Sequence, residues 1–156
     1  KAMIIMSDGL DNESSVTYEE ALQAAVRSEA AAYIVSKTEA VRQMLLYEQS
    51  RQGYYDKIPQ ELFVRADLAM RKLAYETGGR VLYPNNFGQL DNIYAEVADE
   101  LRNQYTIGYI SSNAAKDGSY RRIDVRVLAP GVASVSARPG YYAPDEGQAA
   151  SGLPRR

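Results

Sequence analysis

The chain has 156 residues, of which 46% are hydrophobic and 24% charged, a composition typical of an ordinary globular domain and not of a disordered protein. It contains no Cys and no His, which excludes disulfides, thiol nucleophiles, Ser-His-Asp triads and the common zinc sites. Its net charge of −2 gives no electrostatic reason to expect nucleic acid, and no apolar run approaches the roughly 18 residues of a membrane span.

The first elements predict a parallel sheet. Residues 2–7 (AMIIMS) are a short, mostly apolar run that ends at Asp8-Gly9, which predicts a strand buried on both faces. Thr17-x-x-Glu20 has the spacing of a capping box, and apolar residues follow at helical spacing. Residues 31–36 (AAYIVS) predict a second buried strand. Strand, helix and strand within about 35 residues form a βαβ unit, whose strands are parallel.

Helical periodicity dominates the next part of the chain. Four elements are predicted there: a helix within residues 37–60 that ends near Gly53, a helix from Pro59 to Gly78-Gly79, a short strand at 80–83 (RVLY), and a helix from Leu90 to Leu101. The last helix has the clearest pattern, because its apolar residues recur three and four positions apart.

After Gln104 the hydrophobic pattern has a period of two, which indicates antiparallel strands. Strands are predicted at 105–110 (YTIGYI), 120–128 and 132–138, with a turn at Ala129-Pro130-Gly131 between the last two. The predicted organisation is an α/β part at 1–104, an antiparallel β extension at 105–143 and a disordered tail at 144–156.

Several stretches together resemble a known family. The strand that ends in Ser7-Asp8-Gly9, with LAYETGGRVLYP (73–84), ELRNQYTIGY (100–109) and ARPGYYAP (137–144), is similar to the von Willebrand factor A domain, in particular its bacterial subfamily common in acidobacteria. The resemblance covers nearly all of residues 1–144 and is weakest at 37–60. It implies an α/β, Rossmann-like fold: the C-terminal half of such a sheet, with parallel strands and flanking helices, followed by an antiparallel β-hairpin extension.

The resemblance also implies a metal site at the carboxyl edge of the sheet. In that family three loops hold a divalent cation: one carries Asp-x-Ser-x-Ser, one a Thr and one an Asp. The last matches Asp8, with Ser7, Gly9 and Asp11 as its neighbours, whereas the chain contains no Asp-x-Ser-x-Ser. The expected cation is Mg²⁺, or Mn²⁺ or Ca²⁺, bound in the complete domain and not by this chain alone. The alternative is that Asp8-Gly9 only turns the chain after the strand.

The strand at 2–7 raises a second expectation. In a von Willebrand factor A sheet another strand lies beside it, and without that neighbour its apolar edge carries unpaired backbone groups. We therefore expect either upstream residues of a longer chain or a strand of a partner protein to cover this edge.

Three functions remain open on these grounds. The leading one is a protein-binding, non-enzymatic module of adhesion type in an exported bacterial protein (periplasmic, cell-surface or secreted). The second is a structural subunit whose half-sheet another chain completes. The third is a Mg²⁺-dependent hydrolase that uses Asp8, although the chain has no Asp-x-Asp pair and no Gly-rich phosphate loop after the strand. Tyr54-Tyr55 and Tyr141-Tyr142 are either partner-binding aromatics or packing at the sheet margin.

Overall fold

The described part of the chain contains a parallel sheet, a separate antiparallel pair of strands, and helices on both faces of the parallel sheet. The computed structural model describes residues 1–11, 13–41, 43, 44, 47, 60–131 and 135–145. The elements are β1 (Ala2–Ser7), α1 (Tyr18–Arg27), β2 (Ala31–Ser36), α2 (Gln60–Thr77), β3 (Arg80–Leu82), α3 (Leu90–Arg102), β4 (Tyr120–Arg122) and β5 (Gly140–Tyr142). Residues 38–41, 43, 44 and 47 are also helical, within the predicted 37–60 helix, whereas its predicted end at Gly53 lies outside the described residues.

The larger sheet is parallel, as predicted. Its order is β1-β2-β3, and β2 lies in the centre. Ala2 pairs with Ala31 and Ser7 with Ser36, so that β1 and β2 end at the same level. The smaller sheet is the antiparallel pair β4-β5, in which Tyr120 lies opposite Tyr142. The fold is therefore mixed α/β with a small antiparallel sheet after the α/β part.

Helices cover both faces of the central strand. Ala32 and Ile34 point to one face, where they pack with Met70 and Ala74 of α2. Alternate residues of the strand point the other way, and there Tyr33, Val35 and Leu82 pack with Ile93 and Val97 of α3. This alternation explains why β2 reads as a continuous apolar run, since both of its faces are buried.

The predicted start of α1 is confirmed in detail. The Thr17 hydroxyl accepts a hydrogen bond from the backbone N–H of Glu20, and the Glu20 carboxylate accepts one from the backbone N–H of Thr17. These two bonds form the capping box. The Tyr18 hydroxyl then donates to the carbonyl of Ala69 at 2.8 Å, which holds α1 beside α2.

The prediction that β1 is buried on both faces is wrong. Ile4 is 48% exposed and Met6 is 41% exposed, while Ile5 packs with the core on the α2 side. Within the described part of the chain β1 pairs only with β2, and it forms an edge of the sheet. The outer face of β1 is exposed because α3 packs over β2 and β3 instead.

The β extension differs from its prediction in two ways. Residues 105–110 form no strand, and Tyr105 and Ile110 are 95% and 99% exposed. An antiparallel pair is present, but its strands are only three residues long each, and β5 lies after the predicted strand at 132–138, of which residues 135–138 are not a strand. Residues 123–128 are not a strand either. Gly131 has a φ of +86°, as a type II turn requires, and residues 132–134 lie outside the described residues.

Arg121 of β4 makes side-chain hydrogen bonds to the segment that follows residue 110. The Arg121 guanidinium donates to the Ser111 hydroxyl and to the carbonyls of Asn113 and Ala115. At the start of the predicted tail, the carbonyl of Pro144 accepts a hydrogen bond from the N–H of Gly118 at 3.2 Å. Residues 146–156 lie outside the described part of the chain. Among the described helices, none combines the length and hydrophobicity that crossing a membrane requires.

Candidate functional site

Asp8 follows β1 directly and lies at the carboxyl edge of the parallel sheet. Its Oδ1 accepts a hydrogen bond from the N–H of Leu10 at 3.1 Å, and the Ser7 hydroxyl accepts one from the N–H of Gly9 at 2.9 Å. Both bonds bend the backbone at the end of the strand. The carboxyl edge of such a sheet is also where ligands bind in open α/β folds. The turn and the ligand role of Asp8 are therefore compatible.

The loop also contacts two residues that the sequence analysis did not identify, Ser36 and Thr38. The Thr38 hydroxyl donates to the carbonyl of Asp8 at 3.1 Å, and the Ser36 hydroxyl donates to Thr38 Oγ1 at 2.9 Å. They meet Asp8 because Ser36 lies opposite Ser7 in the strand register. The two predicted strands have equal length, which suggests that parallel strands of this kind end at the same level. That inference could have placed Ser36 and Thr38 beside Asp8.

Gly9 allows the loop to approach α2. Its φ is +73°, and a Cβ at this position would lie 2.9 Å from the carbonyl oxygen of Ala66. A side chain here would be both strained and in contact with helix backbone. Gly9 is thus needed to hold Asp8 in place against the helix.

Asp11, the other predicted loop neighbour, is engaged in a turn of its own. Its Oδ1 accepts a hydrogen bond from the N–H of Ser14 at 3.0 Å. Hydrogen bonds from the Ser14 side chain and backbone lower the pKa of Asp11, because they favour the charged carboxylate. The contacts of Asp11 therefore account for it without a metal.

The donor set around Asp8 consists of hard oxygen atoms, which suits Mg²⁺. Within the described ranges, however, no three acidic side chains form a cluster that could hold a cation. Asp8 supplies one carboxylate, and Ser7, Ser36 and Thr38 supply hydroxyls. These residues fit a divalent cation only if further oxygen ligands come from beyond the residues that the structure describes.

The predicted aromatic pairs lie away from this edge or outside the described residues. Tyr141 packs edge-to-face with Tyr109 at a centroid distance of 6.4 Å, and Tyr142 packs in the same way with Tyr120 at 5.2 Å. The Tyr120–Tyr142 contact joins the two strands of the small sheet, and the Tyr109–Tyr141 contact joins β5 to the segment before β4. Tyr54 and Tyr55 fall in the part of the chain that the structure does not describe.

Comparison with known proteins gives no match: no family model, no curated protein and no solved structure matches this chain. The resemblance to the von Willebrand factor A domain therefore stays a prediction that rests on the quoted motifs.

Proposed function

We propose that this chain is the C-terminal half of a Rossmann-like, von Willebrand factor A-type domain of an exported bacterial protein. We further propose that it binds another protein and catalyses no reaction. The observation that carries the proposal is the position of Asp8 at the end of β1, an edge strand with two half-exposed apolar side chains.

The exposed edge of β1 supports the first part of the proposal, that this chain is the C-terminal half of a domain. Unpaired edges with apolar side chains are pairing sites, and natural proteins normally cover or charge them. Ile4 and Met6 lie on the face that α3 covers over β2 and β3. A further strand beside β1, with its own helix on that face, would bury both side chains. Such a strand would come from upstream residues or from a partner protein.

The oxygen atoms around Asp8 support the second part of the proposal, that the chain binds another protein. In the complete domain Asp8 would bind Mg²⁺, Mn²⁺ or Ca²⁺ directly or through a water, and the hydroxyls of Ser7 and Thr38 would orient the loop. The bound cation would bridge Asp8 to an acidic side chain of the partner protein. Because the other metal ligands lie outside the chain, the isolated chain would bind the cation weakly.

A metal titration of the full-length protein tests this role. We expect Asp8→Ala to weaken Mn²⁺ binding by at least about tenfold, because removal of even an outer-shell partner of a metal costs that much. Binding is followed by the electron spin resonance signal of free Mn²⁺. Asp11→Ala is the matched control, since the Asp11 carboxylate accepts a hydrogen bond from Ser14 within a turn of its own.

Equal Mn²⁺ affinity for Asp8→Ala and the unaltered protein would contradict the metal role. Phosphatase turnover that depends on Asp8 would instead support the hydrolase and contradict the binding module.

A structural subunit is the second candidate, and the edge position of β1 favours it as well. In this case the strand beside β1 belongs to another chain of an assembly. Light scattering separates the two, because the structural subunit is expected to be oligomeric or insoluble when purified alone. A stable monomer would argue for the binding module.

A further inference from the structure

A pair of tyrosine rings joins the segment before β4 to β5. Tyr109 and Tyr141 pack edge-to-face at a centroid distance of 6.4 Å, although they lie far apart in the sequence. Tyr109 is 58% exposed and Tyr141 is half-buried, so that a reagent in the solvent can reach both rings. The pair therefore combines the close contact and the access that a chemical modification of the two rings requires.

The hydroxyl ends of these rings meet in a hydrogen bond. Hydrogen bonding with Tyr141 raises the pKa of Tyr109. Hydrogen bonds with Ser111 and Tyr109 lower the pKa of Tyr141, and Arg121 acts in the same direction, because all three favour the charged phenolate. A phenolate loses an electron more readily than a neutral phenol. Because the Cε carbons flank the hydroxyl, the hydrogen bond also brings the Cε carbons of the two rings toward each other.

The composition of the chain directs one-electron oxidation to tyrosine. The chain has 13 Tyr but no Trp and no Cys, the two other side chains that lose a single electron readily. Without Cys, no disulfide can tie the segment at 105–110 to the rest of the fold. This segment forms no strand, and Tyr105 and Ile110 within it are almost fully exposed. A covalent bond at Tyr109 would attach it to β5.

We propose that Tyr109 and Tyr141 form a modification site, at which a haem peroxidase with hydrogen peroxide couples the two rings into dityrosine. Each hydroxyl loses one electron and one proton, and the two phenoxyl radicals join through a new Cε–Cε bond. The hydrogens on the joined carbons then move to the oxygens, which restores both phenols. In total two ring C–H bonds break, and hydrogen peroxide takes up two electrons and two protons to become two water molecules. The loop around Asp8 takes no part in this step.

The neighbouring pair Tyr120 and Tyr142 provides an internal comparison. Its rings are closer, at a centroid distance of 5.2 Å, but the Tyr120 hydroxyl donates to the Glu76 carboxylate at 3.0 Å. Burial and this hydrogen bond raise the pKa of Tyr120 to about 12. The Arg27 guanidinium carbon lies 4.3 Å from the centroid of the Tyr142 ring, and its positive charge opposes the removal of an electron from that ring. We therefore expect this pair not to couple.

Peroxidase treatment of the full chain at low protein concentration tests the proposal. We expect dityrosine fluorescence and a mass lower by two hydrogen atoms, in a product that remains a monomer on a denaturing gel. The yield per chain should not change on dilution, because the two rings belong to one molecule. Trypsin should release residues 103–116 joined to residues 127–155. Free tyrosine in a parallel reaction shows that the oxidant is active.

Single-hydroxyl variants identify the two rings that react. Tyr109→Phe and Tyr141→Phe keep an aromatic ring at each position and should abolish the link. Tyr105→Phe and Tyr142→Phe are the matched controls, because they alter the other tyrosines of the same two tryptic peptides, and they should leave the yield unchanged. A link that persists in Tyr109→Phe or Tyr141→Phe, exclusively intermolecular products, or no dityrosine at all would overturn the proposal.

Discussion

Gly79→Ala is expected to lower the free energy of unfolding by about 3 kcal/mol or more. A Cβ on Gly79 would lie 2.1 Å from the carbonyl oxygen of Ala32 and 2.6 Å from its carbonyl carbon. Both atoms belong to the backbone of the central strand, so no side-chain rotation relieves the overlap. The loop before β3 must therefore move away from β2.

Such a movement would break bonds on both sides of Gly79. The Thr77 hydroxyl accepts a hydrogen bond from the N–H of Ala32 at 3.0 Å, and the N–H of Gly79 donates to the carbonyl of Ala74 at 2.8 Å. These bonds tie the end of α2 to β2 and set the pairing of Arg80 with Tyr33. A loss of about 3 kcal/mol is a large part of the 5–15 kcal/mol that stabilises a typical domain.

Urea unfolding followed by circular dichroism measures the effect of Gly79→Ala. The matched control is Gly108→Ala, because a Cβ on Gly108 would meet no atom within 4 Å and its φ is not in the left-handed region. The control should change the free energy of unfolding by no more than about 0.5 kcal/mol. Similar losses for the two variants would mean that Gly79 does not contact the backbone of Ala32 in solution.

The elements with strong local signals were predicted correctly. The capping residues Thr17 and Glu20 mark the start of α1, and Gly78 and Gly79 mark the end of α2. The helical spacing of apolar residues predicted α3. All of these helix signals are local, because they depend on residues within a few positions of one another. Local sequence also located Ser7, Asp8 and Gly9 at the end of β1.

Errors arose where an element depends on its neighbours in space. The period-two pattern of 105–110 predicts a strand, but a strand forms only where another strand pairs with it. Likewise the apolar run of β1 does not reveal that Ile4 and Met6 face away from any helix. The sequence did not predict the contact of Thr38 with Asp8. This contact depends on the register of β1 and β2, which relates distant parts of the chain.

Ile34→Ala is expected to lower the free energy of unfolding by about 3 kcal/mol, within the range for deletion of a buried isoleucine side chain. Ile34 is 1% exposed and lies at the centre of the larger sheet, with Ile5 and Val81 opposite it on the two neighbouring strands. It packs with Met70 of α2 on one face of the sheet. Strands on both sides of β2 limit collapse around the cavity that the substitution leaves.

Two further isoleucine variants turn this measurement into a test of the edge strand. Ile110→Ala, at a side chain that is 99% exposed, should change stability by no more than about 0.5 kcal/mol. The loss of stability from Ile4→Ala should lie between those from Ile34→Ala and Ile110→Ala, because Ile4 is 48% exposed on the outer face of β1. A loss for Ile4→Ala as large as that for Ile34→Ala would mean that another strand or a second copy buries this face in solution. In that case the loss should depend on protein concentration if the cover is a second copy, and not if it belongs to the same chain.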